Sequence, residues 1–122
     1  TYIVLRPSMT AVTFLDASRG GWFKGRNLAV TTEALKRAWC DAAEVVYIGK
    51  ATSLRQRIGA LIRFAHGRAI GHWGGRYLWQ LAECYDFVVA WKPSPEPRAT
   101  ESSLIARFVQ TYGQRPFANL VD

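Results

Sequence analysis

The stretch Val45-Val46-Tyr47-Ile48-Gly49-Lys50-Ala51-Thr52-Ser53-Leu54-Arg55-Gln56-Arg57 reads as a strand, a short connection and the start of a helix. The β-branched run Val45–Gly49 predicts the strand. Side chains alternate across a strand, so with Val46 and Ile48 facing the core Tyr47 points the other way. Gly49 lets another group come close to the backbone. The plain alternative is a strand tyrosine half-buried against a helix. Ser53 is a natural cap for a helix running to about His66. Leu54, Ile58, Leu61, Ile62 and Ala65 recur at helical spacing and make one apolar stripe. At about 100° per residue, Arg63 then points to water, while Arg55 and Arg57 border the stripe on opposite sides. A bordering arginine can lay its stem on the core and carry its head along the sheet, or simply snorkel to solvent.

Working outward, Thr1–Arg6 reads as a short edge strand or a disordered lead, ended by Pro7. Ala11–Asp16 is a β-branched and apolar run and predicts a strand. Ala17–Gly25 reads as loop, and Thr31 or Thr32 caps a helix to about Cys40 with Glu33 in its first turn. Gly67–Gly75 contains four glycines and reads as a mobile loop, followed by a short helix over Arg76–Leu81. In Tyr85–Trp91 the residues Tyr85, Phe87, Val89 and Trp91 share one face. Pro93, Pro95 and Pro97 argue against regular structure, and Thr100 starts a last helix that Gly113 closes. The result is an α/β (α+β) domain. Its small three-stranded mixed or antiparallel sheet, Ala11–Asp16, Val45–Gly49 and Tyr85–Trp91, is flanked by helices. Residues 1–122 read as a single domain, in which residues 17–44 carry a helix of their own.

Charge narrows the function. The 122 residues carry 16 Lys+Arg against 9 Asp+Glu, a net charge of +7. Twelve of the sixteen are arginine, the side chain that forks onto phosphate. From Val45 to Ala82 there are Lys50, Arg55, Arg57, Arg63, Arg68, Arg76 and two histidines, with no acid. A field of one sign over a third of the chain suggests a polyanionic partner; the alternative is a merely basic surface. No apolar run approaches the ~20 residues of a membrane span, and no signal peptide opens the sequence. Cys40 and Cys84 lack metal spacing and are too few for a disulfide framework, which fits a reducing compartment.

Glu101 is out of place. Leu104, Ile105, Phe108 and Tyr112 form the buried stripe of the last helix, and Glu101 sits in the middle of it. A buried carboxylate needs a cation, a metal or an arginine. The alternative is a first-turn glutamate favoured by the helix dipole and hydrated at a frayed end. Elsewhere the signals are weak. His66 and His72 have no standard metal spacing, no phosphate-loop pattern or Ser/His/Asp set is visible, and Trp73, Trp79 and Trp91 read as core.

Tyr47-Ile48-Gly49, Lys50-Ala51 and Leu54-Arg55-x-Arg57 together resemble the second half of the GIY-YIG nuclease motif. The similarity is greatest to the N-terminal nuclease domains of bacterial excision-repair incision nucleases. Arg57 follows Tyr47 by ten residues, the family's spacing for its catalytic arginine. Glu101-x-x-Leu104-Ile105 is similar to the family's metal-binding segment, and Arg115-Pro116-Phe117-Ala118-Asn119 to its closing one. The first half-motif aligns with Ala11-Val12-Thr13, which leaves the first tyrosine absent. About thirty residues separate the halves, and the His or Tyr often found four residues after the arginine is Leu61.

The resemblance implies a divalent-metal-dependent endonuclease hydrolysing phosphodiester bonds, with Tyr47, Arg57 and Glu101 converging on one face of an antiparallel sheet. Glu101 would hold one Mg²⁺ (or Mn²⁺) ion, Arg57 would clamp the transition state and Tyr47 would be the general base. Asn119 would order the site from the chain's end. A free tyrosine is ~0.1% ionised at pH 7, and bringing it to neutrality takes about 4 kcal/mol. Lys50 and Arg57 are the expected sources of that positive field. Double-stranded DNA is the expected partner, bound by Arg55, Arg63, Arg68, His72 and Arg76, with a specificity domain or dimer partner besides. The expected location is cytoplasmic, in a prokaryotic or phage-like setting. A catalytically degenerate nucleic-acid-binding module of the same fold is the alternative, and a basic protein-interaction domain a third reading that leaves Glu101 unexplained.

The acid-free segment from Lys50 to Arg76 predicts binding to duplex DNA that weakens steeply with salt, because phosphate contacts release counterions. Affinity that hardly changes between low and physiological salt would exclude a phosphate-binding face.

Overall fold

The computed structural model describes residues 1–19, 29–65 and 75–120. The sheet consists of β1 (Tyr2–Leu5), β2 (Val45–Gly49) and β3 (Val88–Trp91), in the order β2-β1-β3. Both pairings are antiparallel. The helices are α1 (Thr32–Ala38), α2 (Leu54–Ala65) and α3 (Pro97–Tyr112). The domain is therefore mixed α/β with one antiparallel three-stranded sheet. Among the described residues no helix is long and apolar enough to cross a membrane.

The central strand is not the predicted one. Tyr2–Leu5 takes the middle of the sheet, and Ala11–Asp16 makes only an isolated bridge between Phe14 and Leu81. Composition explains the exchange. Tyr2-Ile3-Val4-Leu5 is apolar at every position, as a strand covered on both faces requires, whereas Ala11 and Thr13 are exposed. With both edges of β1 filled, Ala11–Asp16 instead bonds along the turn after residue 75, through Leu15 N–H to Gln80 C=O (2.7 Å) and Ala82 N–H to Thr13 C=O (3.0 Å). Gln80 is wholly buried. Its Nε2 donates to the carbonyls of Leu15 and Val30, and its Oε1 accepts from Val30 N–H.

Register puts Tyr2 opposite Gly49 and Trp91, and Val4 opposite Tyr47 and Val89, so these residues share a face. The pairing slips between Val4 and Leu5, where Leu5 faces Val45 and leaves Val46 as the extra residue of a bulge. Val46 and Tyr47 therefore both reach the main core with Tyr2, Val4 and Leu61. The simple alternation read from the sequence fails at this bulge.

Helix α2 begins where Ser53 predicts, its Oγ accepting from Gln56 N–H at 3.3 Å. Leu54, Ile58 and Leu61 pack on the core as expected, but Ile62 is 53% exposed and lies outside the stripe. Thr31 caps α1 through Ala34 N–H. Arg76–Gln80 is a 3₁₀ turn, and Cys84–Asp86 a second one that shortens the predicted third strand to Val88–Trp91. Tyr85 and Trp91 are exposed while Phe87 and Val89 pack on the core. Pro97 opens α3 instead of blocking structure, since a first-turn proline gives up no helical hydrogen bond. Gly113 closes the helix at φ 77°, a left-handed conformation that only glycine adopts without strain. On α3, Ile105 and Phe108 are buried and Tyr112 is largely exposed against the Phe108 ring. Cys40 and Cys84 are free thiols.

The outer edge of β2 is closed by the chain's end. Ala118 N–H donates to Val46 C=O at 2.9 Å. The Asn119 side chain acts like a further strand residue: Oδ1 accepts from Ile48 N–H (2.9 Å) and Nδ2 donates to Ile48 C=O (2.8 Å). Asn119→Ala leaves both backbone groups of buried Ile48 without partners, which costs about 2–4 kcal/mol. Urea denaturation reads this as a lower midpoint at unchanged slope; an unchanged midpoint would show that water replaces the amide.

Candidate functional site

An open cavity of about 610 Å³ lies where the end of β2, the start of α2, the first turns of α3 and the terminal segment meet. Its walls include Tyr47, Lys50, Thr52, Arg57, Arg98, Glu101 and Asn119. The five residues singled out from the sequence as site residues, Tyr47, Lys50, Arg57, Glu101 and Asn119, are thus brought together by elements far apart in the chain.

Gly49 ends β2, and the ring of Tyr2 lies over it. A Cβ at Gly49 would fall inside van der Waals contact of the Tyr2 Cζ, Cε1 and hydroxyl oxygen. The Tyr2 and Tyr47 rings are 6.0 Å apart between centroids and tilted by 54°. Their hydroxyls are hydrogen-bonded to each other, and the Arg57 guanidinium donates to both. Arg57 reaches them because it borders the apolar stripe of α2, as its helical phase predicts. Burial drives both phenols above the ordinary tyrosine range, while the Arg57 charge opposes that shift. The expectation that positive field brings Tyr47 toward neutrality is therefore not met. Desolvation outweighs Arg57, and the Glu101 charge raises Tyr47 further.

Glu101 sits beyond the first turn of α3, because the helix starts at Pro97. Its side chain is only 13% exposed, so the frayed-end alternative does not hold. The carboxylate is paired as burial demands: Lys50 Nζ lies 3.1 Å from Oε1. Lys50 itself is 45% exposed and on a flexible stem. Among the described residues no three His, Cys, Asp or Glu side chains form a cluster that could hold a metal. The donor set at the cavity is a single carboxylate. That suits a hard cation such as Mg²⁺, which keeps several waters and takes one or two carboxylates plus substrate phosphate.

Asn119 lines the cavity, but its amide is committed to the backbone of Ile48. It holds β2 in place and does not face a reacting group. Leu61, where the related motif often has a polar ring, is buried in the core. Of the arginines expected to bind nucleic acid, Arg55 and Arg63 are exposed on α2. Arg76 is partly buried beside the Tyr77 ring, 5.8 Å from its centroid. Arg68 and His72 lie outside the described residues.

Two residues of the site were missed in the sequence. Tyr2 stands beside Tyr47, and it was not singled out. Its signal was the uninterrupted apolar run Tyr2–Leu5, which marks a central strand. Arg98 lines the cavity one turn before Glu101; the i, i+3 spacing on one helix face was available. Comparisons with protein-family profiles, with curated proteins and with solved structures return no match for this chain.

The Tyr2 phenol gives a pH test. Its folded-state pKa lies above the unfolded value of about 10. Its stabilising effect is therefore complete below about pH 10 and is lost as pH rises beyond it, where only the unfolded chain ionises readily. Tyr2→Phe removes this loss at a cost of about 1 kcal/mol at neutral pH for the missing hydrogen bonds. Denaturation at about pH 8 and about pH 10.5 is expected to show a smaller alkaline loss in the variant than in the wild type. Equal losses would mean that the Tyr2 hydroxyl is not protected by burial.

Proposed function

We propose that this chain is a divalent-metal-dependent endonuclease that hydrolyses phosphodiester bonds of double-stranded DNA, of the GIY-YIG kind its sequence resembles. One observation carries the reading. A phenol pair, a guanidinium bonded to both phenols and a nearly buried carboxylate meet at one open cavity with Lys50 and Arg98 on its walls. A merely basic surface has no use for the carboxylate or the buried tyrosines.

Arg57 has five N–H donors in a rigid fork, enough to hold both phenol oxygens and still meet a phosphoryl group. It is the group that would carry charge developing on phosphate, in a partly desolvated site where that is worth most. Tyr47 would take the proton of the attacking water only as its phenolate, having first given its own proton to solvent, with Tyr2 and Arg57 donating to its oxygen. Lys50 holds Glu101 in place and exchanges its position for a cation on binding, which its exposed stem permits. Glu101 would hold one Mg²⁺ or Mn²⁺, which when bound neutralises the phosphoryl and leaving oxygens. Asn119 is a positioning residue for β2.

The second reading, a binding module of the same fold that does not cut, is favoured by the burial that keeps the Tyr47 phenol protonated. A supercoiled-plasmid nicking assay with gel-shift measurement separates the two. Wild type is expected to nick with Mg²⁺ and to stop in excess chelator. Tyr47→Phe and Glu101→Gln are expected to bind DNA as well as wild type or better, yet to lose roughly a hundredfold or more in nicking, the scale of one general base. Binding without nicking by the wild type would establish the second reading. Normal cutting by Glu101→Gln would end the metal mechanism.

A further inference from the structure

We propose that Arg98 forms a second phosphate subsite, which takes the phosphate next to the one held by Arg57 on the same strand. The inference rests on the nuclease reading and adds to it the way in which the substrate backbone lies across the cavity.

Three observations support it. First, Arg98 and Arg57 line the same cavity from different elements, one from the first turn of α3 and the other from α2. Second, the one carboxylate on the cavity wall, Glu101, is held by Lys50 at 3.1 Å. Among the described residues Arg98 makes no ion pair and no hydrogen bond. An arginine at i−3 from a glutamate on one helix face is within reach of that glutamate. Here a residue from another element has it, so among the described residues the Arg98 guanidinium on the wall has no acidic partner. Third, the cavity of about 610 Å³ has the size of a site for a drug-like molecule, larger than one phosphate group needs. Thr52, exposed on the same wall, adds a hydroxyl donor.

Among the described residues, three cations against one carboxylate line the cavity and give it a positive field, and a metal on Glu101 would increase it. A nucleic-acid backbone is the ligand that answers this with regularly spaced single negative charges. Arg57 is tied to the two phenols at the chemical end of the cavity, so its phosphate is the one that reacts. Arg98 has no such tie, so its contact sets register and leaves the chemistry alone.

The test uses the full chain and a short DNA duplex in chelator, with affinity read by fluorescence anisotropy over a series of salt concentrations. Arg98→Gln is expected to bind roughly three- to tenfold more weakly near physiological salt, with the slope of log affinity against log salt reduced by about one phosphate's worth. Arg98→Lys is expected to restore the slope. Arg107, exposed on the opposite face of α3, is the control, and Arg107→Gln should leave both quantities unchanged. In the nicking assay with Mg²⁺, Arg98→Gln should raise KM with kcat nearly kept, as expected of uniform binding. Arg98→Gln with unaltered affinity and slope overturns the subsite while leaving the nuclease reading intact. Failure of the wild type to bind DNA at all overturns both.

Discussion

The contact on which the site depends is that of an aromatic ring with a missing side chain. Tyr2 lies over Gly49, in space that any other residue's Cβ would fill. That contact fixes the height of the Tyr2 ring above the sheet and with it the position of its hydroxyl. The hydroxyl meets Tyr47, and Arg57 comes in from α2 to bond both. Polar groups this deeply buried are tolerated because they satisfy one another. Enlarging Gly49 would not simply crowd a strand. It would push apart the phenol pair and leave Arg57 short of acceptors on that side.

The same logic sorts the cations of the cavity. Arg57, half-buried, is held by two phenol oxygens, while Lys50 stays half in water and neutralises Glu101. A lysine suits that exchangeable position, being a compact charge on a flexible stem, and a forked arginine suits the fixed one. The carboxylate is thus held in place by a partner that can leave. A buried bidentate arginine in that role would have been far harder to displace.

Much of this was legible in the sequence where a single physical rule decides. Ser53 and the spacing of Leu54, Ile58 and Leu61 gave α2 its start and its buried face. Glu101 among Leu104, Ile105 and Phe108 announced a carboxylate that needed a partner, and Lys50 is that partner. Other features were hidden because two rules compete. Ala11–Asp16 has strand composition, but a sheet has one middle position and Tyr2–Leu5 is the more apolar claimant. Alternation across β2 reads Tyr47 as facing away from Val46, yet a bulge turns both inward, and no local signal marks the bulge. Pro97 was read as a breaker because its favourable place depends on which residue happens to be first in the helix. Asn119 shows only as a polar residue near an end; that its amide would imitate a strand is a property of the assembled sheet.

The wiring of the sheet has a consequence for how the molecule comes into being. Its middle strand precedes its flanking strand β3 by more than 80 residues, with the backbone nitrogen of Thr1 bonded to the carbonyl of Lys92. The edge of β2 is sealed by Asn119, 71 positions downstream of Ile48. Nearly every interaction that shapes the cavity joins distant parts of the chain, so it cannot be assembled piecemeal during translation. Until β3 and residues 118–119 are in place, β1 lacks a neighbour on one side and the outer edge of β2 lacks its cover. The cavity and the sheet must therefore form together, as one cooperative unit.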